Sequence, residues 1–188
     1  MSRNRAGTCD PRRTSIKFFG NYVEVNGEPR YPKPLENGTA QFEYNGLTFE
    51  SETEVIVAQL LVQQGIRFLH HVRFPFRTPV GDAKVWSPDF LFDRPYLLLN
   101  PRCRLTHHWL IHGLEIKGTC FYPDVLLKQR QLVTDHNVHI HLLRYDEVIG
   151  FERCGSIQLE PYEPQVNEPV HPPITIIENG IVQCRTYR

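Results

Sequence analysis

Ser87-Pro88-Asp89-Phe90 and Gly113-Leu114-Glu115-Ile116-Lys117-Gly118 decide how this chain reads. Each sets a carboxylate inside an apolar run. Side chains along a strand alternate faces, so Glu115 and Lys117 share one face while Leu114 and Ile116 take the other. The strand thus anchors itself in a core and offers a carboxylate and an ammonium to one site. Pro88 lacks an N–H, which favours an edge or irregular position. A break there lets the chain turn Asp89 toward the same site. Two carboxylates facing one place repel unless neutralised, and a hard divalent cation with oxygen ligands does this; Mg²⁺ usually takes one or two carboxylates. The plainer alternative is a surface strand on which Glu115 and Lys117 pair for about 0–1 kcal/mol.

Upstream, Ser51-Glu52-Thr53-Glu54 opens a helix. Ser51 fits the N-cap and Glu54, three residues on, completes a capping-box pattern. The face of Glu54, Ala58 and Leu61 is small or apolar, so Glu54 lies at the rim of a buried stripe and needs a partner. Both roles, cap and site residue, stay open. Gly65 ends the helix. Phe68 to Arg77 reads as one strand, with Val72, Phe74 and Phe76 on one face and His71, Arg73, Pro75 and Arg77 on the other. Val85 to Phe92 is the next strand. Residues 93–106 read as an insertion, locally basic through Arg102 and Arg104, with Tyr96-Leu97-Leu98-Leu99 a short strand or a helical turn. Arg73, Arg77, Arg102 and Arg104 are candidates to contact DNA phosphates; a solvated face is the plainer reading for each.

Downstream, residues 123–133 read as a helix on which Lys128 and Gln131 share a face, and residues 138–143 as an alternating strand closing the sheet. His139 and His141 share a face of it, as two metal ligands would. With no third ligand in reach, a covered or solvated strand face is the better reading.

A glutamate on a helix, then Pro-Asp, then Glu-x-Lys in an apolar strand resembles the PD-(D/E)XK nuclease superfamily over roughly residues 50–146, through Glu54, Pro88-Asp89 and Glu115-Ile116-Lys117. The resemblance implies an α/β, restriction-endonuclease-like core with a central mixed β-sheet flanked by helices. It also implies Mg²⁺-dependent hydrolysis of DNA phosphodiesters, with Mn²⁺ able to substitute. Asp89 and Glu115 would hold the metal, helped by the Ile116 carbonyl and by Glu54. Lys117 would orient or activate water, and Lys128 and Gln131 are candidate auxiliary residues. Within the superfamily the Ser-x-x-Glu helix before Pro-Asp-Phe is similar to the endonuclease subunit of heteromeric transposases. The implied partners are DNA and a transposase or other protein subunit, or a second copy in a homodimer. A non-catalytic DNA-binding or assembly module keeping the fold, and a nuclease acting on branched DNA or RNA, are the rivals.

Composition bounds the rest. The chain has 188 residues and zero formal net charge, so it lacks the strong basic excess of a non-specific DNA-coating protein. Only local charge is left to grip a phosphate backbone. Arg3, Arg5, Arg12, Arg13 and Lys17 against Asp10 make the first residues basic, which fits a phosphate-touching arm and a solvated terminus equally. Five cysteines without a Cys-x-x-Cys pair suggest neither a disulfide framework nor a zinc knuckle. No apolar run is long enough to span a bilayer and no apolar signal core follows the N-terminus, so a cytoplasmic location with no membrane partner is expected. The expected division is a disordered arm at 1–14, a β appendage at 15–50 with an Asn45-Gly46 hairpin turn, the core at 51–150, and a Pro-rich arm at 151–188 ending in a hairpin. Residues 28–38, with three prolines and a glycine, read as loop.

Overall fold

Alternation in the two central strands sets the architecture. This computed structural model describes residues 10–34, 41–78, 80–99, 108–118, 123–163, 174–178 and 181–186. Strands β1 (Ile16–Phe19), β2 (Tyr22–Val25) and β3 (Glu28–Arg30) form a small antiparallel sheet, and the hairpin β4 (Phe42–Tyr44) and β5 (Leu47–Phe49) leads into helix α1 (Glu52–Gln63). Next come β6 (Phe68–His70), the hairpin β7 (Phe74–Arg77) and β8 (Ala83–Trp86), and the long strands β9 (Phe90–Leu99) and β10 (His108–Lys117). Helix α2 (Pro123–His136), β11 (Ile140–Arg144), helix α3 (Tyr145–Cys154), β12 (Leu159–Pro161) and the hairpin β13 (Ile174–Glu178) and β14 (Ile181–Thr186) complete the order. The chain is a mixed α/β protein, richer in strand than in helix.

β9 and β10 run antiparallel through the middle of a seven-stranded sheet. At one end the order is β6-β9-β10-β11, and at the other β12-β9-β10-β14-β13. β10 and β11 are parallel. Parallel neighbours need a crossover, and α2 supplies it. Phe90, Phe92, Leu114 and Leu143 project from one sheet face into a cluster with Val57, Ala58 and Leu61 of α1 and Val148 and Phe151 of α3. Leu91 and Ile140, one residue out of phase with these, join Val23, Val25, Val72, Phe74, Trp86 and Leu132 on the opposite face. The β1–β3 sheet is therefore docked on the core.

β9 and β10 approach closely where Gly113 faces Leu91 and Leu114 faces Phe90, just past a register shift between Ile111 and Gly113. A Cβ on Gly113 would lie 2.1 Å from the Phe90 carbonyl oxygen and 2.9 Å from Ile140 Cδ1. Only glycine permits this spacing. His112, inside that irregularity, is fully buried. Its Nδ1 accepts from the His139 amide at 3.1 Å, which leaves the proton on Nε2 to be donated to the Pro11 carbonyl at 3.0 Å. A neutral imidazole thus ties the N-terminal 3₁₀ turn Pro11–Arg13, capped by Asp10, to the sheet.

Several elements depart from the sequence reading. The strand expected from Phe68 to Arg77 is broken, because His71 adopts φ +51° and separates β6 from β7. The expected insertion is strand as far as Leu99: Tyr96, Leu97 and Leu98 are buried and pair with both β10 and β12. Arg102 and Arg104 lie outside the described residues, as do most of the 1–14 arm and residues 164–173. Glu28–Arg30, expected as loop, pairs with β2 across the Asn26-Gly27 turn. Helix α3 has no counterpart in the sequence reading; Gly150 sits inside it, and the left-handed Gly155 terminates it. The Asn45-Gly46 hairpin, with both turn residues at positive φ, and the terminal hairpin form as expected. Among the described residues no helix is long and apolar enough to cross a membrane.

Gly113→Ala should cost at least about 1–3 kcal/mol, as overpacking in a rigid core does, and urea melts measure it. Burial holds the His112 pKa down at about 3, with the neighbouring His139 charge adding to the effect, and burial holds His139 at about 4. Both lie below the unfolded value of 6.5, so the unfolded chain binds more protons across this window. The stability these rings contribute is complete above about pH 6.5 and is lost as pH falls toward 4. The loss should be about 3 kcal/mol per ring, read from denaturant melts of the parent paired with His112→Gln and His139→Gln at pH 7, 5.5 and 4.5. A parent-minus-variant difference that stays constant over that range would refute the burial argument.

Candidate active site

Glu54 arrives on the first turn of α1. Ser51 caps that helix, its Oγ accepting from the Glu54 amide at 3.2 Å, while Glu54 Oε1 accepts from the Ser51 hydroxyl at 2.8 Å and Oε2 from the Glu50 amide at 3.1 Å. The same Oε2 lies 3.2 Å from His70 Nε2. Glu54 is thus a capping residue and a member of the cluster at once, because its buried position lets one carboxylate reach both ways. Burial opposes its charge, but the donors on His70, Ser51 and Glu50 outweigh burial and hold the carboxyl below its ordinary value.

Asp89 occupies the break between β8 and β9, after the buried Pro88. Continuing the β9–β10 register past Leu114–Phe90 would set Pro88 opposite Ile116. Instead, Asp89 Oδ2 accepts from the Ile116 amide at 2.6 Å, and the side chain takes the place of the next rung of the ladder. The Asp89 amide in turn donates to Glu115 Oε2 at 3.2 Å. Glu115 is buried and its other oxygen pairs with the Lys117 ammonium. Leu114 lies in the core and Ile116 packs against it, so the alternation read from the sequence holds. Burial, with the Asp89 charge beside it, pushes the Glu115 carboxyl up to about 7 against the pull of Lys117.

The sequence reading set His71 on a solvated face and gave His70 no role; in the structure both join the site. His70 pairs across from Phe90, and an unbroken strand would send His71 to the opposite side. The left-handed kink brings the two rings together instead, stacked with centroids 3.8 Å apart. The kink is pinned by the His71 amide donating to the Asp89 carbonyl at 3.2 Å and the His71 carbonyl accepting from the Lys33 amide at 2.8 Å. His71 Nε2 sits 3.3 Å from Asp89 Oδ1 and 3.8 Å from Glu54 Oε2, so it bridges the helix carboxylate to the strand carboxylates. Burial lowers the His71 pKa, but the Asp89 hydrogen bond and the charges of Asp89, Glu54 and Glu50 outweigh it and raise it overall. The one sequence signal was the His70-His71 doublet within an apolar run, a pattern that regular strand geometry turns into two opposed side chains.

The other candidates lie elsewhere. Gln131, on α2, exchanges hydrogen bonds with the backbone of Arg77, and the Lys128 ammonium lies 5.7 Å above the Phe76 ring. These contacts tie α2 to β7. Arg73 and Arg77 are exposed, and His139 is covered, in keeping with the plainer reading of that face.

No family model, no curated protein and no solved structure matches this chain.

Glu115 gives a sign that can be checked. Its folded pKa exceeds the unfolded value of about 4.5, so the native state binds more protons between pH 4.5 and 7 and loses stability as pH rises through that window. In chelator, Glu115→Gln should gain on the parent by about 2 kcal/mol between pH 5 and pH 8, read from paired urea melts. A constant difference would show that Glu115 ionises normally.

Proposed function

We propose that this chain is a metal-dependent DNA endonuclease with a restriction-endonuclease-like core, hydrolysing phosphodiester bonds at the pocket of Asp89, Glu115 and Lys117, with Glu54 alongside. The observation that carries the reading is the meeting of Asp89 and Glu115 on adjacent strands, hydrogen-bonded through the Asp89 amide, with Lys117 paired to Glu115. The β6-β9-β10-β11 order, with its one parallel pair spanned by α2, supports the fold assignment.

The donor set suits a hard dication. Two adjacent carboxylates share one neighbourhood, where burial and the Asp89 charge push Glu115 up to about 7. Asp89, Glu115 and the Ile116 carbonyl would hold Mg²⁺ or Mn²⁺, with Glu54 next to them. When bound, such an ion neutralises phosphate charge and makes a coordinated water more acidic. The protein's own part is orientation. Lys117, only partly exposed at the rim, directs its ammonium at a phosphate oxygen or at the attacking water. Asp89, fixed by the Ile116 amide, keeps the carboxylates in register. The water oxygen bonds to phosphorus and gives up a proton to solvent as the bond to the departing sugar oxygen breaks, and that oxygen leaves with a proton from solvent.

A chain with zero net charge gains DNA affinity from local basic residues or from a partner. This is the situation of an endonuclease subunit cutting transposon ends beside a transposase.

Asp89→Ala and Lys117→Ala should each lower plasmid cleavage in Mg²⁺ or Mn²⁺ by at least about 100-fold, the scale of losing a charge-stabilising group, while gel-shift affinity for DNA stays close to the parent's. Either variant cutting as fast as the parent would sink the mechanism. If the parent cuts no linear, nicked, branched or single-stranded substrate and gives no Asp89-dependent Mn²⁺ heat, the fold serves assembly or binding instead.

A further inference from the structure

We propose that His70, His71 and Glu54 form a second metal site, distinct in chemistry from the Asp89–Glu115 pair, which takes a borderline divalent transition ion of the zinc class. The ligand atoms of the three residues all lie within 4.8 Å of one another. Glu54 Oε2 is 3.2 Å from His70 Nε2 and 3.8 Å from His71 Nε2. Donors on a tetrahedral zinc, with bonds of about 2.0–2.2 Å, stand roughly 3.3 Å apart; closing the set means turning the two stacked rings until both in-plane lone pairs meet at one ion. Asp89 Oδ1, 3.3 Å from His71 Nε2, borders the set but stays with the Glu115 pair, so water would complete the tetrahedron.

Three further features make this a built site. Two consecutive residues reach one point only because His71 is left-handed, a conformation that is uncommon for a non-glycine residue. Such a kink persists where the surroundings fix it, and here the Asp89 carbonyl and the Lys33 amide do so. His71 Nδ1 faces Glu50 Oε1 at 3.9 Å. That is a charge contact, too long for a hydrogen bond, and the proton that Nε2 shares with Asp89 would leave as an ion binds. All three side chains are nearly buried, at 11%, 6% and 8% exposed for His70, His71 and Glu54, so a bound ion would be shielded from competing water.

The ligand types divide the two sites. Imidazole nitrogen ranks zinc, cobalt and nickel well above magnesium, while the oxygen donors of Asp89, Glu115 and the Ile116 carbonyl suit Mg²⁺. The histidine site does not depend on the nuclease reading and stands whether or not the chain cuts DNA.

The test uses the full chain, stripped with chelator and titrated with Zn²⁺ against a chromophoric chelator in excess Mg²⁺, and with Co²⁺ followed by visible absorption. One ion per chain should bind. His70→Gln and His71→Asn should each weaken binding on the order of 100-fold, beyond most losses from supporting contacts alone, while Glu115→Gln leaves it unchanged. Asn tolerates the left-handed conformation, so His71→Asn removes the ring without straining the backbone; circular dichroism confirms folding. X-ray absorption of the zinc-loaded parent, which needs no variant, should show imidazole scattering and no sulfur. Histidine variants that bind like the parent, loss of binding in Glu115→Gln alone, or a sulfur-bound ion would each overturn the site. Cleavage is read separately: zinc bound through the histidines with no nuclease activity refutes the function above and leaves this inference standing.

Discussion

The close contact of β9 and β10 at Gly113 is the constraint on which the site depends. The backbone of β10 comes so near the Phe90 carbonyl that no side chain fits between them. Asp89, one residue before Phe90, is thereby delivered beside Glu115 and within reach of the Ile116 amide. The neighbouring irregularity also buries His112, whose neutral ring binds the N-terminal turn to the His139 backbone. One local close approach therefore sits beside the carboxylates and beside the anchor of the Pro11–Arg13 turn.

Placing carboxylates at that contact costs solvation, and the surrounding charges decide which of them stays ionised. Glu54 has three donors and remains anionic despite burial. Glu115 has Lys117 and one amide, with Asp89 too close, and burial prevails. Groups of one chemical type are thus driven apart in proton affinity by their neighbours, which is how a cluster comes to hold both an anion and a readily protonated acid near neutral pH. His70 makes the largest difference on the Glu54 side, its Nε2 lying 3.2 Å from Oε2, with Ser51 and the Glu50 amide adding to it.

How much of this the sequence disclosed follows from the range of each interaction. Alternation in Leu114-Glu115-Ile116-Lys117 is local, and the faces it predicts are the faces observed. Capping by Ser51 and the turn at Asn45-Gly46 are local as well. The extent of β9 was missed because its second half pairs with β12, just over sixty residues downstream, and a Leu-rich run by itself suits a helix equally well. Helix α3 was missed because Gly150 interrupts the pattern and the packing of Val148 and Phe151 against α1 decides the matter. His71 could not be read at all. Its conformation is set by the Asp89 carbonyl and the Lys33 amide, neither adjacent in sequence, and every periodicity argument assigned its ring to the wrong side.

A backbone amide helps to hold each of these carboxylates. Glu50 N fixes Glu54, Asp89 N fixes Glu115, and Ile116 N fixes Asp89. An amide within a helix start or a central strand cannot change rotamer, so each oxygen is located by the fold itself. Groups placed this way need little reorganisation when a charged ligand arrives, and preorganisation of that kind is the larger part of electrostatic catalysis. The flexible members of the cluster, Lys117 and the two histidines, then have a fixed anionic frame to act against. The amide donors of that frame lie just before α1, just before β9 and within β10. Loss of a side-chain donor would therefore alter charge and ligand preference at the site much more than the positions of the remaining oxygens.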